Sequence, residues 1–436
     1  MTTIRPSRPS RRSVSTATWF AIQVVFVAAF ASGWLCIPFN RQQEVIAKLS
    51  HSTVALDAKI ANQPSAVVAS LYDDPEVVSD EELAAVLKKI VPRFSRSHLR
   101  PNLVEHALRT WGSEITFSNP DAISGPQLKD FLTDNAKYIE SWGNAVSPLL
   151  QDTEDGIHVR WGEDASGSVH HDHTLAALTE AGLSLDSAVF TTARARQVRN
   201  VLEEALRDFH LDERETEWSA MSFALWLAPQ QTSAWYNGEG RRITFDMLAE
   251  RLMRNHKRDG VCLGTHRVYS LMLLVRLNEQ HGGQLISATT TTHIMAYLRQ
   301  CRDLIIASQS PDGSWPANWT DGADALIKAD PKEKPSKRVI ATGHHLEWLS
   351  IAPGELHPPR EQILKAADWL VKNTTELPQS EIDQNYTFYS HVGKALAMWR
   401  HTSPADFWTH WRITHVDCEQ FEDAPTKHSE PANVLH

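Results

Sequence analysis

Helices of two kinds alternate along this chain, and the alternation limits the folds open to it. One kind is amphipathic with charged faces, as in residues 193–209 (ARARQVRNVLEEALRDF) and 360–373 (REQILKAADWLVKN). The other is apolar almost all round, as in residues 221–228 (MSFALWLA), 268–277 (VYSLMLLVRL) and 392–399 (VGKALAMW). A helix that is apolar on every side must be covered on every side. Further stretches near 80–91, 101–111, 172–182, 243–257, 289–308 and 340–351 place apolar residues at i, i+3, i+4 and i+7. Ser79 is the expected N-cap of the first of these. Few stretches alternate with period two; residues 113–118 and the surroundings of Trp161 are the candidates for short extended pieces. The expected fold class is therefore all-α, an α/α toroid-like double ring in which an inner set of helices is covered by an outer one. A helical-hairpin solenoid would give similar periodicity.

The N-terminus carries a different signal. Ala17 to Phe39 contains no charged side chain and is 23 residues long. At ~1.5 Å per residue it exceeds a ~30 Å hydrocarbon core. Trp19 and Trp34 lie near its ends, and Arg5, Arg8, Arg11 and Arg12 precede it. The positive-inside rule then puts the N-terminus in the cytoplasm and the main domain outside, with the helix as a single-pass signal anchor in the cell membrane. A cleaved signal peptide is the competing reading, although its apolar region normally spans only ~7–15 residues. The expected organisation is a basic tail (1–16), the anchor (17–39), a stalk (40–78), the toroid-like domain (79–412) and a disordered tail (413–436). The chain has 43 Lys and Arg against 53 Asp and Glu, a net charge of −10, which argues against nucleic acid as a partner. Cys262, Cys301 and Cys418 lie outside the anchor, an odd number, so they form no disulfide framework.

One turn carries a family resemblance. In Gln309-Ser310-Pro311-Asp312-Gly313-Ser314-Trp315, the residues Gln309, Gly313 and Trp315 resemble the Q-x3-G-x-W core of the repeat of terpenoid cyclases and protein prenyltransferases. Leu304 stands where that repeat has an aromatic residue, and Trp369-Leu370 with Thr374 is a degenerate echo. The resemblance implies an α/α toroid and says little about substrate; the D-x-D-D cyclase motif is absent. Gly343-His344-His345-Leu346-Glu347-Trp348 is similar to the G-H-x-x-E-W segment of the N-acylglucosamine epimerase family, another α/α toroid. Ser390-His391-Val392-Gly393-Lys394-Ala395-Leu396 is fainter, with Gly393 and Lys394 replacing that family's Pro and Arg. The likeness implies that His344 and His391 would be an acid/base pair.

Histidine is abundant, 21 residues, and so is tryptophan, 15 residues. Several apolar helices open with polar residues: His170, His171, Asp172 and His173; Glu215 and Glu217; Asp259, Cys262 and His266; His344 and His345; His391. In a ring, the starts of successive inner helices meet at one mouth. His344, His345, Glu347 and His391 are thus the candidate catalytic residues, Glu347 being placed at i+3 to orient His344. Asp259, Cys262 and His266 are the candidate metal ligands. Cys262 and His266 share a helical face at i,i+4, a spacing that suits zinc. The same Cys–His pair reads equally as a nucleophile or as a small buried thiol beside a core histidine. Trp218, Trp226, Trp348 and Trp399 suggest a carbohydrate or isoprenoid ligand, or simply core packing. The resulting expectation is an extracytoplasmic enzyme acting on a carbohydrate or lipid-linked substrate by histidine acid/base chemistry, with or without a metal. The rival expectation is a non-catalytic helical binding or structural module of the cell envelope.

Overall fold

The computed structural model describes residues 16–37, 42, 60, 62–254, 260–328 and 332–419. After α1 (Thr16–Cys36) come α2 (Asp80–Lys89), α3 (Pro101–Trp111), α4 (Gly125–Thr133), α5 (Asn135–Trp142), α6 (His173–Glu180), α7 (Val198–Asp208), α8 (Glu217–Leu227), α9 (Phe245–Arg254), α10 (Thr265–Gln280), α11 (Ala288–Ser308), α12 (Asp324–Ile327), α13 (Pro335–Ser350), α14 (Arg360–Glu376), α15 (Gln379–Gln384), α16 (Tyr386–Trp399) and α17 (Pro404–Thr414). The fold is mostly helical. The strands pair within three antiparallel hairpins: Leu150–Asp152 with Ile157–Val159, Ala188–Phe190 with Ala195–Gln197, and Ala234–Tyr236 with Arg242–Thr244. Residues 113–118 form no strand, and Trp161 makes a single bridge to Ser168.

α1 is long and apolar enough to cross a membrane, and none of it is buried against the rest of the chain. Six helices of the body pack in a closed circuit: α3 on α6, α6 on α8, α8 on α10, α10 on α13, α13 on α16, and α16 back on α3. These are the helices that are apolar or buried nearly all round. α8 is buried at every one of its 11 positions. The amphipathic helices pack outside this circuit: α2 against α14 and α16, α4 against α3, α7 against α6 and α8, α9 against α8 and α10, α11 against α10, and α14 against α13. One face of each is buried and the other is wet, as their charge patterns require.

Local chemistry sets the helix ends. Ser79 and Glu82 form a reciprocal capping box at the start of α2. Pro335 opens α13 at a position where its missing N–H costs nothing. The turn from α11 to α13 is held by the repeat residues. Gln309 Nε2 donates to the carbonyls of Gly313 (2.8 Å) and Gln362 (2.7 Å), and Trp315 Nε1 donates to Ile305 O (2.8 Å). Gly313 has φ +99°, and a Cβ there would meet Lys365 O at 2.4 Å. The Q-x3-G-x-W turn thus clamps α11 to α14.

Residues 62–78, assigned to a stalk from sequence, form an extended strap across the C-terminal ends of the inner helices. Ser65 Oγ donates to Thr179 O of α6, Ala66 N to Leu225 O of α8, Leu71 N to Ser350 O of α13, and Asp74 N to Trp399 O of α16. These donors satisfy carbonyls that a helix end leaves open. Val77 and Val78 are buried, so the body begins well before residue 79. It also extends past residue 412: Glu419 is buried and accepts from Trp408 Nε1 at 2.9 Å. The expected disordered tail otherwise lies, from residue 420, outside the described residues.

Candidate functional site

Each of the six inner helices sends one ring into a single layer inside the circuit. His106 comes from α3, His173 from α6, Trp218 from α8, His266 from α10, His344 from α13 and His391 from α16. Neighbouring ring centroids lie 4.7, 4.3, 4.2, 4.3 and 3.9 Å apart in that order, and His391 closes on His106 at 5.2 Å. All six are buried, the most exposed being His106 at 6%.

A charged layer lies against this ring. Glu347 Oε2 is 2.8 Å from His344 Nδ1 and 3.5 Å from His391 Nδ1. Its Oε1 is 3.5 Å from Lys394 Nζ, which sits 2.5 Å from Glu180 Oε1. Glu180 also pairs with Arg109, whose guanidinium stacks 4.5 Å over Trp218. Two cations and two carboxylates thus form a neutral buried chain, the arrangement that makes buried charge tolerable. Burial works to raise the Glu347 carboxyl. Lys394 and the hydrogen bonds from His344 and His391 outweigh it and hold Glu347 well below the usual carboxylate range.

Burial pulls the other way on the imidazoles. It holds His106, His173, His266 and His391 well below their ordinary value, and it also lowers His344 against the pull of Glu347. These rings are therefore neutral at pH 7 and carry a free lone pair. Among the described residues, Nε2 of His173, His266, His344 and His391 has no hydrogen-bond partner. An unmet buried polar group costs about 1–3 kcal/mol. Four of them together rival the whole net stability of a domain, about 5–15 kcal/mol. Such a cluster leaves four acceptors open to water, a metal ion or another ligand.

Cys262 approaches the ring from the turn before α10. Cys262, Leu263 and Gly264 all adopt left-handed backbone, with φ of +52°, +64° and +76°. For Cys262 and Leu263 this conformation is strained, about 1–2 kcal/mol each. Thr265 Oγ1 donates to Cys262 O at 2.6 Å, and Trp319 Nε1 to Leu263 O at 3.2 Å, which hold the turn. The ligand atoms of Cys262, His266 and His344 all lie within 4.8 Å of one another, and so do those of His344, Glu347 and His391. Burial raises the Cys262 thiol, so the free side chain is no ready nucleophile.

Of the sequence candidates, Cys262, His266, His344, Glu347 and His391 come together. His345 does not. It points behind the ring, where Trp315 and Trp319 pack edge-on and Trp348 Nε1 donates to its Nδ1 at 3.1 Å. Asp259 lies outside the described residues. The expected position at the helix starts holds for His173, Glu217 and His266, but His344 is the tenth residue of α13 and His391 the sixth of α16. The layer is set inside the circuit, not on its rim. At the rim, His170 pairs with Glu215 (2.7 Å), and His171 with Glu213 (3.0 Å) and Asp172 (3.5 Å).

Sequence reasoning missed His106, Glu105, Arg109 and Glu180. Glu105 Oε2 lies 2.8 Å from His173 Nδ1, and burial pushes the Glu105 carboxyl up to about 7. The available signal was Glu105 and Arg109 at i,i+4 on one face of a short helix with His106 between them. Trp226 and Trp399 are core residues, their indole N–H groups bonded to Thr179 and Leu346. Cys262, Cys301 and Cys418 form no disulfide among the described residues. Two surface clefts of about 400 and 500 Å³ lie elsewhere, around Trp235 and Arg242 and around Asp130 and Phe190. Comparison with protein families, curated proteins and solved structures gives no match.

Proposed function

We propose that the protein is a membrane-anchored α/α-toroid enzyme whose central histidine layer performs acid/base chemistry outside the cytoplasmic membrane. The closed circuit of six inner helices with amphipathic helices outside supports the toroid. The single observation that carries the chemistry is Glu347 held between His344 and His391, whose rings are 3.9 Å apart. Glu347 fixes each Nδ1 as the protonated nitrogen, so each Nε2 presents a lone pair. His391 then removes a proton from the substrate at its Nε2 and, once protonated, returns it from the same nitrogen, the base-then-acid cycle of general acid/base catalysis. The strap crosses the helix C-terminal ends, so the substrate approaches from the face that carries Cys262 and His170. A lipid-linked or carbohydrate substrate fits an anchor that holds the domain at the membrane surface.

The near-complete burial of the ring favours a second reading, a non-catalytic envelope module with a polar core. One experiment separates them. Full-length protein in detergent is incubated with lipid-linked saccharides and free glycans, and products are read by mass spectrometry. The enzyme reading expects conversion by the wild type that falls at least 100-fold in His344→Ala and His391→Ala proteins with unchanged circular dichroism. Absence of any conversion, or conversion untouched by both changes, leaves the structural module.

A further inference from the structure

We propose that Cys262, His266 and His344 hold a zinc ion, with Glu347 as the carboxylate that orients His344 and with the fourth position open to water or substrate. The proposal rests on the reading of the ring as a working site, and it is decided by metal content instead of turnover.

Three independent features point to it. First, the donor set is a thiol and two imidazoles, the mixture that zinc takes in catalytic sites with three protein ligands. Their ligand atoms already lie within 4.8 Å of one another. Zinc bonds of ~2.0–2.3 Å place tetrahedral ligands roughly 3.3–3.8 Å apart, so the cluster contracts by at most about 1.5 Å on binding. Second, the fully buried Nε2 atoms of His266 and His344 have no hydrogen-bond partner among the described residues. Third, His344 already carries the outer carboxylate typical of a zinc histidine. Glu347 takes its Nδ1–H at 2.8 Å, which leaves Nε2 as the metal-facing nitrogen.

The overlapping cluster of His344, Glu347 and His391 is the weaker candidate. Its carboxylate is already engaged by Lys394 and two imidazoles, and recruiting it would strip those partners. The strained turn at Cys262 and Leu263 is consistent with the first set, because the left-handed backbone there accompanies a sulfur placed beside His266 and His344. Binding converts the Cys262 thiol to a thiolate and releases one proton to solvent.

The test is metal analysis of the full chain purified in detergent without metal-affinity steps, followed by cobalt(II) reconstitution. The expected result is one zinc per chain and a near-ultraviolet sulfur-to-cobalt charge-transfer band. Cys262→Ala should lose the band, and Glu347→Gln should keep zinc with affinity reduced about 10–100-fold. No metal after zinc addition and dialysis overturns the proposal. So does bound cobalt without the sulfur band in the wild type, a readout that needs no variant to fold. Full zinc in Cys262→Ala with loss in Glu347→Ala overturns it in favour of the second cluster. Turnover by protein that takes up no zinc overturns the zinc site alone, and zinc without turnover overturns the enzyme reading alone.

Discussion

Glu347 Oε2 accepts a hydrogen bond at 2.8 Å from His344 Nδ1, one turn back on the same helix. The same carboxylate lies at 3.5 Å from both His391 Nδ1 and Lys394 Nζ, so one buried side chain joins the ring layer to the charged layer. Removing a partner from such a network leaves a charge uncompensated in a low-dielectric interior. Lys394→Ala strips a cation from both Glu180 and Glu347 and is expected to cost about 3–5 kcal/mol, read as a lowered urea midpoint. Lys394→Met should cost nearly as much, because the loss is of charge and not of chain length. A change within experimental error would show that the network carries no weight.

Gly260 is favoured by its left-handed backbone and by the buried Glu217–Arg267 pair beside it. Its φ is +117°, and a Cβ there would meet Glu217 Oε1 at 2.3 Å and an Arg267 guanidinium nitrogen at 2.6 Å. Gly260→Ala should therefore destabilise by about 2 kcal/mol or more. It should also displace the Cys262 turn, seen as faster reaction of Cys262 with an external thiol reagent. An alanine protein as stable as the wild type would mean that the segment adopts another path.

The Q-x3-G-x-W turn gives a test remote from the ring. Gly313→Ala drives a Cβ toward Lys365 O and should cost about 2 kcal/mol, whereas Ser310→Ala should stay within about 0.5 kcal/mol. Thermal unfolding of the two proteins side by side checks the contrast; equal melting would remove the clamp between α11 and α14.

The rim histidine makes stability depend on pH. Burial disfavours the charged form of His171, but Asp172, Asp208 and Glu213 outweigh it and push its pKa up to about 11. In the unfolded chain it titrates near ~6.5. Between those values the folded protein holds the extra proton, so this contribution is complete below the unfolded value and fades as pH rises toward the folded one. His171→Gln should be less stable than the wild type by about 2 kcal/mol at pH 6, with the gap narrowing by pH 9.5. A gap that is constant or grows with pH would contradict this account of His171.

The membrane arrangement is also checkable. The basic residues before α1 predict that protease added to intact spheroplasts removes the body and leaves an epitope at residue 1 protected. Protection of the body would reverse the expected orientation.

What the sequence made legible was local. The Ser79 cap, the apolar anchor and the Gln309–Trp315 turn each depend on residues within one short segment. Alternation of helix types was readable because burial on all sides leaves no polar stripe. The hairpins were not, since three-residue strands are too short to show a period of two. The ring layer was half visible. His344 and His391 stand out, yet the apolar periodicity begins only near residue 340 whereas α13 begins at Pro335, so a residue ten positions inside looks close to a helix opening. His106, Arg109 and Glu180 were missed because a polar residue on a short helix reads as solvent-facing. Only closure of α16 on α3 turns that side inward.

The strap has a consequence for biosynthesis. Its N–H groups find their acceptors on Leu225, Ser350 and Trp399, the last more than 300 residues downstream. Asp73, Asp74 and Glu76 are tied to Arg360 and Arg400 in the same late region. A chain that emerges from its N-terminus therefore delivers the strap first and its seat last. Until α16 has been synthesised, the inner carbonyls stay open and the six helices have no closing member. The body's opening segment can therefore be seated in full only once the last inner helix exists, and a truncation anywhere before residue 399 should leave it unfastened.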